Sequence, residues 1–231
     1  MAYSCRCWSI TLLLSFATGP LCAQVSGAVS LWSDQRYRGV SLSNGRPQLQ
    51  LGLNYDAPGG YYLSGLLAAT PTGEANTVAV LNAGRLWPIS SDKGYALELG
   101  GNYTHHGAYS GAAYGEAYVG LIANRMNARL YYAPRYLGRS NRSVYAELEG
   151  NLPLGHDNRW SLTQHIGWLH GGAGRSGGDR TNVKLGVNVH LSEGDLSLSW
   201  LYYWPSRPPI PQESAAAQRR STIVLGFVRA F

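Results

Sequence analysis

Residues 183–191 read VKLGVNVHL, and residues 196–204 read LSLSWLYYW. In the first stretch Val183, Leu185, Val187, Val189 and Leu191 oppose Lys184, Asn188 and His190. In the second, Leu196, Leu198, Trp200, Tyr202 and Trp204 oppose Ser197 and Ser199. A helix would place like residues three or four apart. Alternation sustained over nine residues is a strand with one apolar and one polar face. Only a few residues separate the two stretches, the spacing of an antiparallel hairpin.

The same pattern recurs outward in both directions. PQLQLGLNY (47–55) sets Leu49, Leu51, Leu53 and Tyr55 against Gln48, Gln50 and Asn54, and VYAELEGNL (144–152) alternates likewise. Twelve such segments are expected, near 25–33, 47–55, 61–69, 77–87, 95–103, 114–123, 127–136, 143–152, 159–168, 181–191, 195–204 and 220–231. Most approach the ~9–11 residues a tilted strand needs to cross a bilayer. Gap lengths segregate by parity. Connections such as DAPGG, NRMN and SEG alternate with longer ones such as SDQRYRGVSLSNGR and PSRPPIPQESAAAQR. An up-and-down barrel has short turns at one rim and longer loops at the other. A Greek-key sandwich has no reason to sort its connections this way. The expected fold is therefore all-β: a single closed antiparallel transmembrane barrel of about twelve strands, with both termini at the short-turn rim.

Composition agrees. Of 231 residues, 29 are Gly and 16 are Tyr, and only 14% are charged, which excludes a coiled coil or helical bundle. A hydrophobic content of 45% excludes a disordered chain. The net charge of +6 comes without Lys/Arg blocks, so no nucleic-acid partner is expected. Residues 1–23 (MAYSCRCWSITLLLSFATGPLCA) read as a signal peptide: Arg6, an apolar run from Trp8 to Ala17, a Gly19-Pro20 break and small Ala23. Residues 24–231 would then be the barrel domain, exported to the bacterial outer membrane. All three cysteines (Cys5, Cys7, Cys22) fall in the leader, so the barrel has no thiol for a disulfide or a metal. No run of about 20 apolar residues suggests a spanning helix.

A charge on the lipid face costs roughly 2–4 kcal/mol for Arg or Lys near the midplane, so charged positions within strands mark the inner face. On that basis the lumen carries Glu98, Glu116, Glu147 and Glu149 with Arg129, Arg135 and Lys184, joined by Gln48, Gln50, Asn54, Asn102, Thr163, His165 and Asn188. Tyr55, Tyr61, Trp87, Tyr95, Trp160 and Phe231 fall at the short-turn end, and Tyr103, Tyr136, Trp168 and Trp204 at the long-loop end, as two aromatic girdles would. The long loops hold Arg36, Arg38, Arg46, Arg139, Arg142, Arg175, Arg180, Arg207, Arg219 and Arg220 against Asp34, Glu74, Asp179 and Glu213. Such a rim suits lipopolysaccharide phosphates or anionic solutes. C-terminal Phe231 looks like the signal by which outer-membrane barrels reach their assembly machinery, and Arg229 at its flank can snorkel.

Catalytic and cofactor motifs are not evident. A barrel lipid hydrolase needs Ser and His within reach, and His190 with Ser192 is the nearest arrangement. His105 and His106, adjacent at a strand end, point apart and do not make a metal site. The expected function is a porin or channel for small solutes, with a non-conducting structural or surface-binding barrel as the alternative.

The opening of the barrel carries an S-D-x-x-Y-R-G-x-S loop (Ser33, Asp34, Tyr37, Arg38, Gly39, Ser41), a P-x-x-Q strand (Pro47, Gln50) and a G-x-Y-x-x-G strand (Gly60, Tyr62, Gly65). This resembles the TorF-type porins, a proteobacterial outer-membrane family, with Gln35 where the family usually has Tyr. The resemblance implies an outer-membrane barrel and an ordered first loop, in which Asp34 pairs with Arg36 or Arg38 and Gly39 allows a tight backbone path.

Overall fold

Alternation along each strand generates a sheet with one apolar face, and curling that sheet until its edges meet removes every unpaired edge. The computed structural model describes residues 23–69, 77–90, 94–107, 112–138, 141–155, 157–171, 179–206 and 219–231. Residues 1–22, and with them nearly all of the leader reading, lie outside the described residues.

Twelve strands close the barrel: β1 (Gln24–Trp32), β4 (Gln48–Asp56), β5 (Tyr61–Ala69), β6 (Thr77–Ser90), β7 (Tyr95–His106), β8 (Tyr114–Ile122), β9 (Met126–Ala133), β10 (Ser143–Leu154), β11 (Trp160–Gly171), β12 (Arg180–Leu191), β13 (Gly194–Pro205) and β14 (Ser221–Ala230). Each pairs with its sequence neighbour, and β1 closes on β14 with Ala28 opposite Ala230 and Trp32 opposite Gly226. Gln24 pairs with Asp56, and Phe231 donates its N–H to Gly27 O (2.9 Å), so both ends of the barrel chain meet at the short-turn rim.

The lipid-facing side is a belt of leucines with aromatic ends. Leu51, Leu67, Leu81, Leu99, Leu130, Leu185, Leu198 and Leu225 are all exposed. Tyr55, Tyr61, Tyr95, Trp160 and Phe231 are exposed at the short-turn end, and Tyr103, Trp168 and Trp204 at the other. In water this would be an aggregating surface; against acyl chains it is the natural exterior.

Three features depart from the sequence reading. Tyr136 is not in the girdle: β9 ends at Ala133 before Pro134, and Tyr136 turns inward and is buried. Arg135 lies in the same connection beyond β9 and is exposed, so it is not a wall residue of the lumen. Arg85 sits on the outer face near the short-turn rim, although charges were expected inside. Its guanidinium lies 4.7 Å from the Tyr61 ring and 5.0 Å from the Trp87 ring, and its Nε donates to Gly59 O (3.1 Å). Two girdle rings and a turn carbonyl make that interfacial position tolerable.

Inside the wall, aromatic rings lie over glycines on the neighbouring strand. Tyr62 is paired with Gly84, Tyr118 with Gly100, and Trp32 with Gly226. A Cβ on Gly84 would come within 2.6 Å of Tyr62 Cζ. Glycine here lets a ring fold flat against the backbone, the aromatic rescue that suits a tightly curved sheet.

Candidate functional site: the lumen and its inward hairpin

The connection between β1 and β4 is not an outer loop. It forms a two-stranded hairpin, β2 (Arg36–Tyr37) and β3 (Val40–Ser41), about the turn residues Arg38 (φ 49°) and Gly39 (φ 86°). Positive φ at both central positions is the type I′ geometry whose twist suits a tight hairpin. A second such pair, Asn44 (φ 56°) and Gly45 (φ 71°), returns the chain to β4, closed by Arg46 N–H to Ser43 O (3.1 Å).

Asp34 organises the hairpin from within. Its carboxylate accepts from Arg36 Nε (2.8 Å), Ser41 Oγ (2.5 Å) and Ser43 Oγ (3.0 Å). Ser33 lies at the mouth, where its Oγ accepts from Leu225 N–H (3.0 Å). Arg36 also donates to Gly39 O (3.0 Å) and to Arg219 O (2.9 Å). Arg36 and Arg38 therefore do not belong to the solvated basic rim.

Arg38 crosses the bore. Its Nη1 and Nη2 donate to Glu116 Oε1 (2.9 Å) and Oε2 (2.7 Å), a bidentate pair with both side chains buried. Tyr37 OH donates to Glu116 Oε2 (3.4 Å), and Tyr114 OH donates to Tyr37 OH (3.3 Å). The Arg38 guanidinium lies 4.1 Å from the Tyr145 ring on β10 and 5.3 Å from the Tyr131 ring on β9. In the closed strand order the β9–β10 seam is diametrically opposite the β1–β4 seam from which the hairpin descends. The hairpin thus spans the lumen from wall to wall. Gly39 is pressed onto Tyr203 of β13, where a Cβ would meet the Tyr203 Cβ at 2.7 Å.

Below the hairpin the wall is charged. Arg129 Nε donates to Glu98 Oε2 (2.6 Å), and Arg129 Nη1 lies 3.8 Å from Glu149 and 4.0 Å from Glu147. Glu98 also accepts from Tyr62 OH (2.7 Å), which shares a hydrogen bond with Tyr118 OH. Glu147 accepts from Tyr131 OH (2.7 Å). His165 sits between Glu149 (3.3 Å) and Asn182 (2.8 Å), and Lys184 is opposite it on β12. The most open of the four wall glutamates is Glu149, with a side chain 28% exposed; Glu116 is 1% exposed. Ligand atoms of Glu147, Glu149 and His165 lie within 4.8 Å of one another. Arg129, which pairs with two of them, already supplies the positive charge a cation would bring.

The wall of β12–β14, β1 and β4 carries short polar groups instead: Ser197, Ser199, Asn188, Ser30, Gln48 and Gln50. Gln50 donates to Gln35 of the hairpin. At the short-turn rim His190 Nδ1 meets Asp195 Oδ1 (2.7 Å), so that histidine is held by an acid. His105 faces outward and His106 inward, as neighbours on β7 must.

A closed apolar-jacketed barrel with a polar, charged bore defines a porin-like protein of the outer-membrane type. Residues 17–206 match the model of a family described as a bacterial protein of unknown function, Gcw_chp, and the chain belongs to that family. Among solved structures it is similar to the KdgM porin (8% identity, 91% of this chain and 99% of that one, TM-score 0.55). It is likewise similar to the NanC porin (9% identity, 89% and 98%, TM-score 0.56). At such identity the likeness is one of fold. No curated protein sequence matches the chain.

Proposed function

We propose that the protein is an outer-membrane porin of the TorF type, a passive channel for small polar solutes. The observation that carries this reading is the bore itself: ionised and amide side chains around a lumen with an apolar exterior, the division of surfaces that a water-filled path through a bilayer requires. The porin fold of the structural neighbours supports it. The signal-like leader and terminal Phe231 support export and insertion by the barrel assembly machinery. Exposed Arg46, Arg142, Arg219 and Arg220 at the long-loop rim suit lipopolysaccharide phosphates.

The test is single-channel recording of the refolded full barrel in a planar bilayer. Discrete conductance steps are expected. A folded protein that gives no steps at any voltage, with the hairpin in place or removed, would establish the second reading, a non-conducting barrel, which the hairpin across the bore favours. A lipid hydrolase reading finds less support, because His190 is engaged by Asp195 at the short-turn rim.

A further inference from the structure

We propose that the β2–β3 hairpin is a displaceable stopper latched by Arg38 and Glu116, and that withdrawing it leaves a cation-preferring passage; this rests on the porin reading. Three observations carry it. First, the hairpin crosses the full bore, yet its hold on the far wall is polar. Among the described residues, the buried apolar clusters of the lumen, one around Tyr62 and Leu86 and the other around Tyr114 and Leu169, include no hairpin residue. Second, the bonds from Asp34 to Arg36, Ser41 and Ser43 lie within the segment, so it can move as one body without losing them. A buried ion pair contributes little net stability, because desolvation offsets its attraction. Parting the pair therefore costs little, and what keeps the hairpin seated is the Arg38 ring contacts with the bonds of Arg36 to Arg219 O and Gln50 to Gln35.

Third, the latch takes a charge with it. The mid-barrel wall has Glu98, Glu116, Glu147 and Glu149 against Arg129 and Lys184. Of the rim charges, Arg180 lies at the long-loop end, and Asp56 and Asp195 lie at the short-turn end. With the hairpin seated, Arg38 neutralises Glu116. With it withdrawn, Glu116 loses that partner and the wall carries a clear acidic excess. Asp34 and Arg36 cancel each other in either position. Carboxylates in a narrow, weakly screened bore attract cations and repel anions.

The experiment compares three folded proteins in planar bilayers with a potassium chloride gradient. They are the natural barrel, Glu116→Gln, and a barrel in which residues 35–43 are replaced by a short flexible linker. Folding is checked by heat-modifiable electrophoretic mobility. Glu116→Gln removes the latch charge and is expected to raise the open fraction about tenfold, as weakening one charge-assisted contact shifts a two-state equilibrium. The linker variant is expected to conduct most, with a reversal potential displaced toward that of potassium. If the natural and linker barrels conduct alike, with the same reversal potential, the stopper is overturned while the porin stands. If the folded linker barrel passes no current, the porin reading itself fails.

Discussion

Arg38 and Gly39 show how much of this site depends on two backbone positions. A non-glycine residue at positive φ is costly, and Arg38 accepts it because its side chain then reaches Glu116 across the bore. Gly39 has no such freedom to spare. Gly39→Ala puts a methyl at φ 86° against Tyr203 and is expected to lower stability by about 2 kcal/mol, read as a lower urea midpoint. Arg38→Lys is not conservative either. It loses the bidentate fork and is expected to behave like Glu116→Gln in conductance. Tyr37 adds a pH dependence. Burial, opposed by Arg38, pushes its phenol well above its ordinary value. The seated hairpin therefore binds that proton more tightly than the unfolded chain does. This contribution is complete below roughly pH 10 and is lost as pH rises through the folded value. The natural barrel is expected to lose hairpin order above pH 10 and Tyr37→Phe to resist that loss, measured by the near-ultraviolet tyrosine signal.

Strands were legible because a barrel in lipid enforces period two on every residue: one face meets acyl chains, the next meets polar groups. That reasoning placed Lys184 and Asn188 on one face and Leu185 and Val187 on the other, as found. It failed where a strand ends. Pro134 stops β9 three residues before the alternation would have, which turns Tyr136 inward and leaves Arg135 outside. The ring-over-glycine pairs are a device of the element, and they give a paired test. Gly84→Ala is expected to cost about 1–3 kcal/mol, because the Tyr62 ring must lift. Gly65→Ala, on the lipid face with open space around it, is expected to be neutral or slightly stabilising. Urea titration of both variants in the same detergent decides it.

For the whole molecule, inside and outside are the reverse of a soluble protein's, and substitutions should respond accordingly. Leu198→Arg, in the middle of the apolar belt, is expected to cost roughly 2–4 kcal/mol and to reduce folding into vesicles, unlike the natural Arg85 at the interface. Charge removal from the bore should be read in permeation instead. Lys184→Gln leaves Glu149 less compensated and is expected to shift the reversal potential toward cations. Arg135→Gln, exposed beyond β9, is expected to leave it unchanged. A shift in the second and none in the first would mean that the passage runs elsewhere than past β12.

Local alternation and connection length, read along the chain, were enough to determine strand count, closure, the placing of both termini and the faces of Glu98, Glu116, Arg129, Glu147, Glu149 and Lys184. These follow from constraints that act within a few residues: the pleat, the bilayer thickness and the turn. The direction of the first loop was decided only by the tertiary structure. Ser33 to Ser41 reads locally as an ordered, charged loop. Whether Arg36 and Arg38 face solvent or the bore depends on Glu116, 78 residues from Arg38, and on rings from β9, β10 and β13 that only barrel closure brings together. An ion pair between residues so distant leaves no period in the sequence, because its geometry belongs to the closed wall.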